Sequence, residues 1–138
     1  MVDKAKLDQM LSNLRRYSEA LRRLAEQPRE AFLANPDQIG SAKYHLLIAI
    51  ECCIDVANHI IASENLRFPK DNADSFVVLT EQGVLDPGMK DSLRAMARFR
   101  NRLVHLYWDV EDARVHEYLR DSLGDLHAFA RAIAARDW

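Results

Sequence analysis

Between Arg98 and Tyr107 the chain sets three arginines, an asparagine, a histidine and a tyrosine within ten residues, Arg98-Phe99-Arg100-Asn101-Arg102-Leu103-Val104-His105-Leu106-Tyr107. A guanidinium presents a planar fork of donors that matches phosphate oxygens, and histidine is the side chain whose unperturbed proton equilibrium lies nearest neutrality. Residues of these types can bind a phosphodiester and move protons. On a regular helix of about 100° per residue, Leu93, Met96, Ala97 and Val104 share an apolar face, with Arg100 in the middle of it. An arginine placed there either snorkels, pairs with an acid such as Glu51, or serves a site. Arg98, Asn101, Arg102 and His105 fall on a different face. Arg100 and His105 stand about 140° apart on a regular helix, so they converge only if the helix end distorts or their side chains reach around it.

The elements that must carry this segment are helical. Leu7, Met10, Leu11, Leu14, Tyr17, Leu21 and Leu24 recur at three- and four-residue steps, which predicts a first helix over Asp3 to Glu26. Pro28 and Asn35-Pro36 bracket a short helical turn around Ala31 to Leu33. Leu47, Ile50, Ile54, Ala57 and Ile61, widened by Leu46, Cys53 and Ile60, predict a long central helix between Asp37 and Ser63. The polar stretch Glu64 to Ala73 reads as the longest loop, followed by a short helix from Ser75 to Gln82 that Gly83 stops. Asp86-Pro87 supplies a cap and a first-turn proline for the helix that runs to His105. Asp109 and Asp112 have the spacing of a capping box, and Val115, Leu119, Leu123, Leu126, Ala130 and Ile133 predict one last helix beyond it. The expected fold is therefore all-α, an up-and-down bundle of four longer helices plus short ones, as a single domain over residues 1–138.

Composition narrows the function classes. With 138 residues, 49% hydrophobic and 29% charged, four glycines and four prolines, the chain has the make-up of one soluble helical domain. The start, Met1 to Lys6, has no secretory apolar stretch, and the most apolar run, Leu46 to Ala57, is interrupted by Glu51 and Asp55 and too short to span a bilayer, so the expectation is a cytoplasmic protein without a membrane partner. Adjacent Cys52 and Cys53 suit small buried side chains better than a disulfide or a zinc site. A net charge of −2 makes no global case for nucleic acid, yet Lys90 to Tyr107 carries five Lys or Arg against Asp91 alone, a local patch that could steer a polyanion. Asp55/His59 and Asp112/His116 are spaced four apart, but solvated pairs explain them without a metal, and no Glu-x-x-His occurs. No Gly-rich phosphate loop, G-x-S-x-G or kinase signature is present, and no cofactor is expected.

The pattern R-x-x-x-x-H-x-Y, realised as Arg100, His105 and Tyr107 with Asn101 next to the arginine, resembles the signature of HEPN-domain ribonucleases of the HepT-like toxin family. The surrounding FVVLTEQGVLDPGMKDSLRAMARFRNRLVHLYWDV and the upstream AIECCIDVANHII are similar to that family in order and spacing, over roughly residues 42 to 134. The resemblance implies a helical homodimer whose two motifs border a shared cleft and cut RNA without a required metal. It implies a catalytic pair, His105 as general acid or base near a ribose 2′-hydroxyl and Arg100 on the phosphate. Asn101 would orient the imidazole or the phosphate, while Arg98 and Arg102 would attract RNA; an ordinary solvated helix face is the competing reading for these three. Tyr107 is either a half-buried anchor with a wet hydroxyl or, by resemblance, the residue that an MntA-type nucleotidyltransferase antitoxin modifies with AMP. The rival function is a noncatalytic HEPN module that binds a nucleotidyltransferase through the same arginines. A structural bundle with an incidental basic patch is a third reading.

Overall fold

The computed structural model describes every residue, Met1 to Trp138, as helices and short connections with no strand. The first helix, α1 (Lys4–Ala25), is capped by Asp3, whose carboxylate accepts from the Lys6 amide at 3.1 Å. It buries the stripe Leu7, Leu11, Leu14, Ser18 and Leu21. One turn, α2 (Arg29–Leu33), drives Phe32 fully into the core. In α3 (Pro36–Ser63) the Asn35 side chain accepts from the amides of Asp37 and Gln38, with proline at the first helical position. This helix buries residues on most of its circumference, from Ile39 to Ile61, and packs against α1, α2 and every later helix, as its wide apolar stripe predicts. By length and composition alone α3 passes for a membrane span, but 56% of its most apolar stretch is buried inside the bundle, as in the core helix of a helical domain.

The segment after α3 is pinned, although its composition reads as a plain loop. Asn65 adopts the left-handed conformation (φ 53°), one that asparagine tolerates. Arg67 then forks onto two carboxylates of α4 (Asn72–Glu81), bonding Asp74 at 2.7 and 3.0 Å and Glu81 at 2.9 and 3.0 Å. Asp71, not Ser75, starts this helix: its carboxylate accepts from the Asp74 amide at 2.7 Å. Hydrogen bonds from Arg67 and from the Lys70 amide hold the Asp74 carboxyl at about 2, below its ordinary 3.8, and Arg67 lowers Glu81 as well. Carboxyls depressed in the folded state stabilise it above the ordinary carboxylate range, and the contribution is lost as pH falls through the folded value. Arg67→Met is therefore expected to unfold at lower urea than the parent at pH 7. That gap closes as the pH approaches about 2; urea titrations at the two pH values measure it, and the effect is small because Arg67 and Glu81 are open to solvent.

The helix that carries the motif, α5 (Lys90–His105), begins three residues later than the Asp86-Pro87 signal places it. Asp86 caps a separate 3₁₀ turn, Pro87–Met89, by accepting from the Gly88 amide at 2.8 Å. Beyond α5 the expected single helix is two, α6 (Asp112–Asp121) and α7 (Leu123–Ala135), hinged at Ser122 (φ −121°, ψ −4°). Ser122 and Gly124 are weak helix formers, and the break lets Leu126, Phe129 and Ile133 turn inward against α1 and α3. The capping box expected at Asp109 and Asp112 does not form. Glu111 is the cap residue, without a side-chain bond, and the Asp109 carboxylate faces the Arg102 guanidinium instead at 3.4 Å. The architecture is otherwise the all-α bundle that periodicity predicts, with 33 buried residues in one connected apolar core.

Candidate functional site

The phase of α5 decides which motif side chains meet. Leu93, Met96, Ala97, Phe99 and Leu103 are buried, and Phe99 stacks on Tyr118 of α6 with ring centres 4.3 Å apart and planes within 8°. This stacking fixes the rotation of α5. Arg94, Arg98, Asn101 and His105, spaced by four, three and four residues, then form one row on the outer side; the first and last differ by only about 20° around the axis. At their base lies a cleft of about 290 Å³ between α5 and the start of α4, bordered by Lys70, Asp74, Arg94, Arg98 and Asn101.

Arg100 points elsewhere, toward α3. Its Nε donates to the Glu51 carboxylate and its Nη1 donates to the Asn101 side-chain oxygen at 3.1 Å. The pair is half-buried, with 20% of the Arg100 side chain and 32% of Glu51 exposed. Two of the five guanidinium N–H donors are thus engaged, and the rest have no hydrogen-bond partner in the chain. Asp55, one turn along α3 from Glu51, has its carboxyl pushed up by burial and by the Glu51 charge, and Arg100 opposes that shift. The ion pair that offers a structural reason for Arg100 is therefore present, and it also anchors the guanidinium in one orientation.

His105 is the last residue of α5; the chain leaves the helix at Leu106 (φ −131°, ψ 40°) and makes a 3₁₀ turn over Tyr107–Asp109. Arg102 ties that turn down by donating to the Asp109 carbonyl at 3.3 Å and to its carboxylate. Tyr107 and Trp108 stand edge to face at 5.3 Å and are 67% and 70% exposed, beside an exposed His105. Tyr107 is thus not the half-buried anchor allowed as one of its two readings.

The structure joins Arg100 to Asn101 and sets Asn101, Arg98 and Arg94 along one cleft, whereas Arg102 serves the turn. It does not join Arg100 to His105: no hydrogen bond links the two, and they face opposite sides of α5. Sequence reasoning missed Trp108, although a tryptophan just past a helix end beside the tyrosine was a visible signal. It also missed Lys70 and Asp74, which no periodicity connects to α5. The four-apart acid and histidine pairs have other engagements: His59 accepts from the Asp3 amide at 3.3 Å, Asp112 pairs with Lys43 at 3.3 Å, and His116 is buried against Phe32.

The family model for HepT-like ribonucleases matches residues 10–133. The chain belongs to this family. The match takes in most of α1, a helix that fits the family in type more than in sequence. Over 85 residues the chain is 33% identical to the mRNA nuclease HepT of Shewanella oneidensis, covering 62% of this chain and 64% of that relative, which is just under two thirds of its length. It is 22% identical over 127 residues to the tRNA nuclease HepT of Aphanizomenon flos-aquae, covering 92% of this chain and 86% of that one. Among solved structures, a tri-AMPylated HEPN toxin of Shewanella oneidensis in complex with an MNT antitoxin superimposes with a TM-score of 0.87 at 25% identity, covering 99% of this chain and 100% of the toxin.

Proposed function

We propose that this HepT-like chain is an endoribonuclease toxin that cuts RNA by metal-independent acid/base chemistry and is silenced by AMPylation of Tyr107. The observation that carries the reading is the exposed His105 at the end of a row of two arginines and an asparagine along one cleft, on the same helix as a guanidinium held in place by Glu51. In the proposed reaction His105 takes the proton from a ribose 2′-hydroxyl and O2′ attacks the adjacent phosphorus. The bond to the 5′-oxygen breaks and that oxygen takes a proton from the imidazolium so formed, leaving a 2′,3′-cyclic phosphate, a 5′-hydroxyl and a neutral imidazole. Arg100 offsets the charge that develops on the phosphoryl oxygens, Asn101 orients Arg100, and Arg98 draws in the strand. The 2′-hydroxyl selects RNA over DNA.

Because Arg100 and His105 diverge on one helix, the working site is proposed to lie in the shared cleft of a homodimer, where one protomer's guanidinium can meet its partner's imidazole. The unit is a single HEPN-like domain acting in the cytoplasm, and its regulator is an MntA-like nucleotidyltransferase. Tyr107 is accessible to such an enzyme: its hydroxyl-bearing ring stands out from the turn. Attaching AMP there sets a negative phosphate beside His105 and the arginines and fills the site, as phosphorylation does elsewhere. Purified protein incubated with RNA and chelator tests the reading, since cleavage should continue unchanged; loss of cleavage on chelation that added metal restores would contradict it. After co-expression with the cognate nucleotidyltransferase, intact mass spectrometry should show AMP-sized increments that vanish in Tyr107→Phe. The same increments surviving in Tyr107→Phe would place the modification elsewhere.

A further inference from the structure

Outside the motif, the pinned segment between α3 and α4 carries an unusual surface. Phe68 is 91% exposed, which is uncommon for so large an apolar ring. The segment does not leave it loose: the Arg67 fork on Asp74 and Glu81 precedes it directly, and the Lys70 amide bonds Asp74 at 2.9 Å just after it. An apolar hollow of about 560 Å³ opens beside the ring, lined by Ile61, Leu66, Phe68, Pro69 and Asp71 among others. Asp71 also borders the cleft of Lys70, Arg94 and Arg98, so the hollow and the cationic cleft adjoin.

The charges in that cleft are unequal in what they have left to give. Asp74 is spent on Arg67 and Asp71 on the first turn of α4. Arg98 and Lys70 carry no ion pair, and Arg94 has only a 3.9 Å approach to the highly exposed Asp91. A rigid exposed aromatic next to free cations is the pairing that binds single-stranded nucleic acid, the ring stacking a base and the cations taking phosphates. The row continues through Asn101 to His105, roughly 16 Å along the α5 axis from Arg94, so the cations of the cleft and the imidazole lie along one track.

We propose that Phe68, Lys70, Arg94 and Arg98 form a substrate subsite that holds single-stranded RNA flanking the cut linkage, with Phe68 stacked on one base. This rests on the nuclease reading for the cut itself but not for the binding. Because every base offers a π face, the subsite positions RNA without demanding one sequence.

The test measures anisotropy of a labelled single-stranded oligoribonucleotide with 2′-O-methyl riboses, which cannot be cut by 2′-hydroxyl attack, alongside cleavage of the unmodified strand. Phe68→Ala should weaken binding about tenfold and raise KM to match while leaving kcat near the parent's, and Phe68→Trp should restore both. Lys70→Ala combined with Arg94→Ala should flatten the slope of log affinity against log salt by about 1.4, since each phosphate of a single strand that is no longer neutralised accounts for about 0.7. Both changes lie on exposed or half-exposed side chains, so folding is preserved. Parent-like binding and KM in these variants would overturn the subsite while leaving the nuclease standing. Binding that depends on Phe68 and Arg94 with no cleavage by any form would do the reverse. If the variants instead release a co-expressed nucleotidyltransferase and bind RNA normally, the surface docks a protein and the proposal fails.

Discussion

Replacing His105 with alanine is expected to slow RNA cleavage by roughly 10²- to 10⁴-fold, the usual contribution of a positioned general acid or base. The same change should leave the urea midpoint of unfolding almost where it is, within about 0.5 kcal/mol. The structural half of that expectation follows from position: His105 is exposed and ends α5, and its imidazole holds no hydrogen bond to the rest of the chain. Nothing in the core notices its removal. A histidine so placed has no packing task to confuse with a chemical one, so single-turnover rates of parent and His105→Ala with a common RNA read the chemical role directly. Equal rates would remove His105 from the mechanism.

Arg100→Ala carries the second large effect, about 10²- to 10³-fold in kcat if it loses the main donor to the developing phosphoryl charge. Here structure and chemistry are entangled, because the side chain is half-buried on Glu51 and opposes the upward shift of Asp55. Removing it leaves the half-buried Glu51 carboxylate unpaired and takes away one of the two cations near Asp55, and should cost some stability as well. Arg100→Lys separates the two roles. A lysine can keep the charge beside Glu51, so the urea midpoint should stay close to the parent's, but it lacks the planar fork that meets phosphate oxygens and should recover only a minor part of the rate. Full recovery by lysine would mean that Arg100 acts as a charge alone, and rates unaffected by either variant would reduce it to a structural ion pair.

The amphipathic stripes of α1 and α3 and the Asn35-Pro36 start were legible in the chain because each is a local pattern, a period or a cap, that packing then respects. The Glu51 partner of Arg100 could be anticipated for a related reason: an arginine in an apolar stripe needs an acid from the helix it faces. What could not be read depended on contacts between distant segments. Asp109 has the spacing of a cap, yet Arg102 claims its carboxylate, and only the end of α5 reveals that competition. The Arg67 fork rigidifies a stretch whose composition reads as a loop, because Glu81 lies fourteen residues away. The break at Ser122 is a matter of which face α7 must turn toward α1 and α3. The motif itself was legible as residues and as a family resemblance, and helical geometry already set Arg100 and His105 about 140° apart. The Arg100–Asn101 bond and the Arg102 tie that shapes the turn after His105 were not.

That divergence makes product chemistry the most direct test of the central claim, that an imidazole and a guanidinium act together on one RNA linkage through its 2′-hydroxyl. The measurement is mass spectrometry of the fragments released from a defined RNA in the presence of chelator, by the parent, by His105→Ala, by Arg100→Ala and by an equal mixture of the two variants. The parent should release 2′,3′-cyclic phosphate and 5′-hydroxyl ends, either variant alone almost none, and the mixture a partial yield as hybrid dimers pair an intact Arg100 with an intact His105. Fragments ending in 3′-hydroxyl and 5′-phosphate, or parent-like cleavage by His105→Ala, would contradict that claim.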